Sequence, residues 1–374
     1  MNNSVFLHIV ERLEGFLGKL PESIQKPILS ELTPLKELFL QQRTPRFVLA
    51  GSHPIPLLDF TARIFAEDGA GKPSRETLTG LFRWQSVTVG HHGSIQLLDA
   101  RGADEAALAL IREQLQTQRA DLFFFLAAER AAKVATRKEI ERLEKLVDWN
   151  SEAGSRAKLI ELRAGGEDGT EPTALQQAAT SDATVIRASL IGSYPLDGAL
   201  RRTLAAVLPN EARVEMVRMG GDRAAQQEIA EMLVKSTSAI CAAIGAQPIP
   251  LADLPVLTTL QLVMVSGIMY VSGRERSMRA ATEFIGALGA NVGLGMILRE
   301  GTRAALKFFP GWGNVVCGMV AGAGTFAIGR AATVYFIDGA TLSDARRTFL
   351  KSKKKRVPIP GTKAKELRDA NAKR

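Results

Sequence analysis

Residues 46–60 read Arg46-Phe47-Val48-Leu49-Ala50-Gly51-Ser52-His53-Pro54-Ile55-Pro56-Leu57-Leu58-Asp59-Phe60. Four apolar residues run into a glycine, a proline-containing turn follows, and a helical spacing then begins. This predicts a buried strand, a Gly-led loop and the first turn of a helix. Such a loop ordinarily cradles an anion with its backbone N–H groups and the helix N-terminus. The residues that would hold a phosphate are missing. In G-x-x-x-x-G-K-[ST] register Gly51 fills the first glycine, but Pro56 stands at the second, Leu57 at the lysine and Leu58 at the magnesium-binding hydroxyl. Proline removes an N–H donor, and leucine offers neither charge nor hydrogen bond.

Outward from this stretch the pattern alternates between strands and helices as far as about Leu208. Residues 80–90 alternate through Phe82, Trp84, Ser86 and Thr88 into a His91-His92-Gly93 turn, and Ser94 to Asp99 pairs back as a hairpin strand. Asp121 leads into Leu122-Phe123-Phe124-Phe125-Leu126, a continuous apolar run that marks a strand buried on both faces. A charged helix from Lys133 to Leu146 follows, then short strands at Lys158–Leu162 and Thr184–Ala188. The expected fold is α/β, a mostly parallel sheet with helices on both faces, followed by an all-α helical domain.

The chain of 374 residues is long enough for two cores, and 46% hydrophobic with 23% charged residues is an ordinary globular composition. The expected domains are N-terminal amphipathic helices over 1–45, the α/β domain over 46–210, an Ala/Gly-rich helical domain over 211–345, and a basic disordered tail over 346–374. A net charge of +9 favours acidic partners. Part of that charge sits in Lys351-Ser352-Lys353-Lys354-Lys355-Arg356. Cys241 and Cys317 lie in apolar surroundings outside any C-x-x-C pair and read as small buried hydrophobes.

The helical part holds three uncharged stretches, Leu254–Gly273, Phe284–Leu298 and Phe308–Gly329. The first and third are about 20 residues, enough to cross a bilayer at about 1.5 Å per residue. Gly289-x-x-x-Gly293 and Gly318-x-x-x-Gly322 would let helices approach closely. Three spans would put Arg274, Arg276 and Arg279 on the opposite side from Arg299, Arg303 and Lys307, and two spans would leave them opposite the basic tail, against the positive-inside bias. This favours a domain that lies on, or partly enters, an anionic membrane surface, peripheral or partly inserted at the cytoplasmic face, with a soluble bundle packed by the same small residues as the alternative.

The order of loop, hairpin and Leu97-Leu98-Asp99-Ala100-Arg101-Gly102 resembles small bacterial Era/TrmE-like GTPases. The resemblance implies a D-x-x-G turn after the third strand, with Asp99 at the magnesium-linked position and Gly102 at the γ-phosphate. The base-reading N-K-x-D would follow Lys158–Leu162, where Arg163-Ala164-Gly165-Gly166 stands instead. Ala188-Ser189-Leu190-Ile191-Gly192 partly echoes the family's S-A-x-x-G turn. Farther on, Pro248-Ile249-Pro250-Leu251-Ala252-Asp253 with Leu260-Gln261-Leu262-Val263-Met264 resembles a helical module of unknown function found after GTPase domains, several of whose carriers are membrane-associated. The two resemblances cover about residues 46–340.

Gly51, Ser52, Asp99 and Gly102 are therefore the candidate residues of a vestigial nucleotide site, with Asp99 alternatively capping the next helix. Lys72 mimics a G-K-S loop interrupted by Pro73 and is left out; His91 and His92, adjacent in sequence, point to different sides and make no metal site. No cofactor is expected, GTP and magnesium entering only under the first alternative below. The reading is a GTPase-like scaffold or regulator with little or no GTPase activity. Its expected partners are an anionic membrane surface and a protein, such as an active GTPase. The alternatives are a GTP-binding protein or GTPase using a non-standard loop, and nucleic-acid binding through the basic tail.

Overall fold

A computed structural model describes residues 22–39, 41–52, 55–57, 60–61, 64, 82–89, 93–127, 133–152, 158–163, 185–189, 198–246, 253–289 and 313–356. The chain divides into two compact units, residues 42–225 and residues 1–41 with 226–374.

In the first unit, six strands among the described residues form one sheet in the order β2-β3-β1-β4-β5-β6. They are β1 (Arg46–Gly51), β2 (Gln85–Val89), β3 (Gly93–Asp99), β4 (Leu122–Ala127), β5 (Lys158–Arg163) and β6 (Val185–Ser189). β2 is antiparallel to β3, and the remaining pairings are parallel. β1 and β4 are continuous apolar runs because both sheet faces are covered. Val48, Ala50, Leu98, Phe123, Phe125 and Leu159 bury one face beneath α1 (Glu105–Thr117) and α2 (Lys133–Glu152), which supply Leu108, Ile111, Leu143 and Leu146. On the other face the Phe124 ring meets Phe47 and Phe60 edge-on, at 5.4 and 5.2 Å between centroids. Phe60 belongs to the helical turn that follows β1, where the Phe60 N–H donates to Pro56 O at 2.9 Å.

The strand expected over 80–90 starts only at Gln85. Phe82 has φ of 66°, which breaks an extended run, and Trp84 instead turns its Nε1–H to Gln114 O at 3.2 Å. The expected boundary at 210 also moves. After α3 (Gly198–Val207), helix α4 (Asn210–Gly220) packs on β3, where a Cβ on Gly93 would come within 2.8 Å of the Met219 side chain. The first unit therefore runs to residue 225.

Two polar clamps set the vertical register at the amino ends of the strands. Arg43 grips Asp121 with two nitrogens at 2.7 and 2.6 Å, and Asp121 also accepts from Arg46 N at 2.9 Å. Buried Asn150 accepts from Ala120 N at 2.8 Å and donates to Ala120 O at 3.2 Å, pinning the end of α2 to the start of β4.

The second unit joins α5 (Glu22–Phe39), an N-terminal helix with buried Leu32, Leu35, Leu38 and Phe39, to α6 (Arg223–Gly245), α7 (Asp253–Val271), α8 (Met278–Gly289), α9 (Gly313–Phe336) and α10 (Leu342–Arg356). α5 is thus part of the helical unit rather than a separate N-terminal segment. Ser236 donates to Glu31 at 2.6 Å, and the Phe39 ring lies 3.3 Å from where a Cβ on Gly267 would stand. The expected disordered tail is helical as far as Arg356, because Ala345 and Phe349 are buried and α10 packs extensively on α9.

The helices of this unit touch through small residues. A Cβ on Gly318 would lie 2.6 Å from Ala242 O, and one on Gly322 would lie 2.8 Å from the Ala242 Cβ. The 318–322 glycine pair is a close contact between α9 and α6; Gly293 of the other pair lies outside the described residues. Gln261 of the L-Q-x-x-M segment donates to Thr325 Oγ1 at 2.9 Å, tying α7 to α9. Burial pushes the Cys241 thiol up to about 12, the behaviour of a small buried hydrophobe.

Candidate functional site

β1 lies between β3 and β4, so the chain crosses to opposite sides of β1 on leaving it and on leaving β3. A crevice at the carboxyl ends of parallel strands forms at such a switch point. Gly51 and Asp99 stand there on neighbouring strands, with Leu49 paired to Asp99 and the Ala100 N–H donating to Leu49 O at 2.9 Å. The structure therefore brings Gly51, Ser52, Asp99 and Gly102 to one end of the sheet.

Gly51, Ser52 and Asp99 are already engaged. Gly51 has φ of 102°, and a Cβ there would stand 2.3 Å from Leu126 O, so glycine is required by the approach of β4. The Ser52 N–H, a natural anion donor, goes to Leu126 O at 3.1 Å. The Ser52 hydroxyl bonds the Glu139 carboxylate on α2. Glu139 arrives there for a geometric reason. It precedes the Asn150 clamp by eleven residues, about 16 Å of helix at 1.5 Å each, and β4 climbs about the same distance from Leu122 to Ala127. Partial burial pushes the Glu139 carboxyl above its usual range, while Ser52 and Arg142 pull the other way.

Asp99 does not cap the next helix; Asp104 does, accepting from Ala107 N at 2.8 Å. Asp99 instead holds Arg101. The Arg101 Nε donates to Asp99 Oδ1 at 2.8 Å and Nη2 to Oδ2 at 2.7 Å, the paired geometry that makes such contacts strong. The remaining Nη1 donates to Ile55 O in the β1 loop at 2.7 Å. The two side chains are 14% and 12% exposed. A guanidinium thus bridges the loop after β1 and the turn after β3. Gly102 has φ of 68° with open space around a would-be Cβ, so only the turn requires it.

The sequence singles out neither Arg101 nor Glu139. Arg101 occupied an unspecified position of D-x-x-G, and Glu139 looked like one of many charges on a solvated helix. His53, Lys72, His91, His92 and residues 164–184 and 190–197 lie outside the described residues. Among the described residues no three His, Cys, Asp or Glu side chains gather as a metal site.

The helical unit holds a second feature. Residues Cys317–Phe336 of α9 are long and apolar enough to cross a membrane by length and composition, and 56% of this window is buried inside the protein. Arg274 stacks over Tyr335 and Phe336, and Arg276 over Phe39 and Tyr270. Arg279 pairs with Glu283 at 2.9 Å on the surface.

No family model matches the chain. The chain is similar to magnetosome membrane protein 22 of Magnetospirillum gryphiswaldense, with 26% identity over 162 residues that cover 40% of this chain and 82% of that protein.

Proposed function

We propose that this chain is a catalytically degenerate GTPase-like protein acting as a membrane-associated scaffold or regulator. The observation that carries the reading is Arg101, whose guanidinium is held by Asp99 and Ile55 O at the end of β1 and β3. Phosphoryl transfer requires a lysine and a metal ion on the β- and γ-phosphates. Here an internal cation already neutralises Asp99, Leu57 replaces the lysine, and Glu139 adds a carboxylate beside Ser52. The sequence of parts supports a GTPase-like ancestry: a loop after β1, a hairpin, and D-x-x-G after the third strand. A site occupied from within suits a protein that binds others, an active GTPase among them, rather than one that turns over nucleotide.

The test is calorimetry of the full chain with GTP, GDP and ATP, each with and without magnesium, alongside Arg101→Ala. No heat at sub-millimolar nucleotide is expected from either protein. Magnesium-dependent binding by the wild type that weakens in Asp99→Ala would overturn the reading in favour of an unconventional nucleotide site.

A further inference from the structure

We propose that the helical unit rests on an anionic lipid surface through the outer face of α10 and does not cross the bilayer. The inference rests on the membrane reading above and decides between lying on the membrane and spanning it.

α10 is a defined helix. The Asp344 N–H donates to Thr341 Oγ1 at 3.2 Å, and the Thr341 hydroxyl donates to Asp344 Oδ2 at 2.7 Å, closing its first turn. Ala345 and Phe349 bury its inner face, and Arg346 donates twice to Ala287 O, at 2.9 and 2.6 Å, at the end of α8. The outer face is left to solvent. Arg347, Leu350 and Lys351 are exposed and recur at the i, i+3, i+4 spacing of one helical stripe. α10 carries seven basic residues, Arg346, Arg347, Lys351, Lys353, Lys354, Lys355 and Arg356, against Asp344. Leu350, 46% exposed among these cations, is the side chain an interfacial helix would lower between headgroups. Beside the basic stripe, Leu350 adds an apolar contact that a lipid surface takes up, which favours lipid over nucleic acid.

The placement of α10 also argues against a span. The link from Phe336 to Leu342 is short, Gly339 turns with φ of 71°, and α10 packs extensively on α9, so the pair forms a helical hairpin. Fifteen residues reach about 22 Å back along α9 at about 1.5 Å each. Were α9 to cross the hydrocarbon, this basic helix would enter with it, and each Arg or Lys near the midplane is disfavoured by about a hundredfold. Arg347 and Lys351 lie exposed on the outer face of α10, while Arg274 and Arg276 stack on aromatic rings.

The test is flotation of the full chain with vesicles of phosphatidylcholine alone or mixed with phosphatidylglycerol. Wild-type protein should float with the mixed vesicles and not the neutral ones. It should be released by alkaline carbonate, and by salt near 1 M, where the screening length falls from about 10 to about 3 Å. Arg347→Ala and Lys351→Ala should each weaken binding about fivefold, and Leu350→Ala should weaken it further. All three spare Phe349 and Ala345, and coincident melting curves would verify the fold. A double Arg347→Ala/Lys351→Ala variant that floats like wild type overturns this surface and leaves the membrane reading standing. Wild-type protein that floats with neither vesicle overturns both. Resistance to carbonate and salt would overturn the surface geometry in favour of a span. Salt-sensitive binding to duplex DNA or RNA without vesicle binding would replace lipid with nucleic acid.

Discussion

Arg101 governs the chemistry of the sheet end because its partners cannot be satisfied by water once it is removed. Asp99 would lose its paired partner where it is 12% exposed, and breaking one member of a buried ion pair costs about 3–5 kcal/mol. Arg101→Ala is therefore expected to lower the denaturant midpoint strongly, while Asp99→Asn combined with Arg101→Ala recovers much of the loss. A double-mutant cycle in urea measures this, and additive effects would show that the pair is not a unit. Glu139 makes the opposite prediction. Its folded-state carboxyl titrates above the unfolded value, so the folded state binds more protons in that interval and stability falls as pH rises through it. Glu139→Gln removes the charge and keeps an acceptor for the Ser52 hydroxyl. It should raise Tm slightly at pH 7, with the gain disappearing as pH falls below the ordinary carboxylate range, where Glu139 is protonated in both states. At this scale the sequence showed Asp99 and Gly102 but hid the meaning of Arg101, because Ile55 lies 46 positions away and no local pattern encodes that contact.

At the scale of elements, β1, β4, β5 and β6 could be read from the sequence because apolar runs bounded by polar turns allow few alternatives. The start of β2 could not, since a positive φ at Phe82 is a tertiary outcome that alternation does not announce. α10 was hidden for a different reason. Its composition is that of a solvated tail, and the anchors Ala345 and Phe349 are sparse among seven basic residues. Phe349 is 1% exposed, and truncating a buried Phe costs about 3–5 kcal/mol. Phe349→Ala should unseat α10, read as early loss of amide protection over 342–356 in hydrogen exchange while α6 stays protected. The small-residue contact between α6 and α9 gives a sharper case. Gly322→Val would force a side chain into the 2.8 Å gap before Ala242, where overpacking costs about 1–3 kcal/mol. Thermal melts of Gly322→Ala and Gly322→Val should fall in that order, and equal Tm values would mean that the helices separate freely.

At the scale of the whole molecule, the helical unit is discontinuous in sequence, built from both ends of the chain around an inserted sheet unit. A linear reading assigned residues 1–45 to a separate segment, because amphipathic spacing reveals that a helix has a packing face and not what it packs on. The structure gives α5 a share in the helical core through Leu32, Leu35, Leu38 and Phe39. Fully burying such side chains is worth about 1.5–3 kcal/mol each, and domains keep only about 5–15 kcal/mol of net stability. Deleting residues 1–41 also strips Phe39 from beneath Arg276 and leaves Ser236 without Glu31. The helical unit should then lose its cooperative transition while residues 42–225 keep theirs. Trp84 and Trp149 belong to the sheet unit and Trp312 to the helical one, so fluorescence in a Trp312→Phe background follows the sheet unit. Far-UV circular dichroism follows both units. In urea, the truncated protein should show an unchanged fluorescence transition and a broad, early loss of helix. Two unchanged transitions would mean that α5 is an appendage and that the helical unit is stable from residue 226 onward.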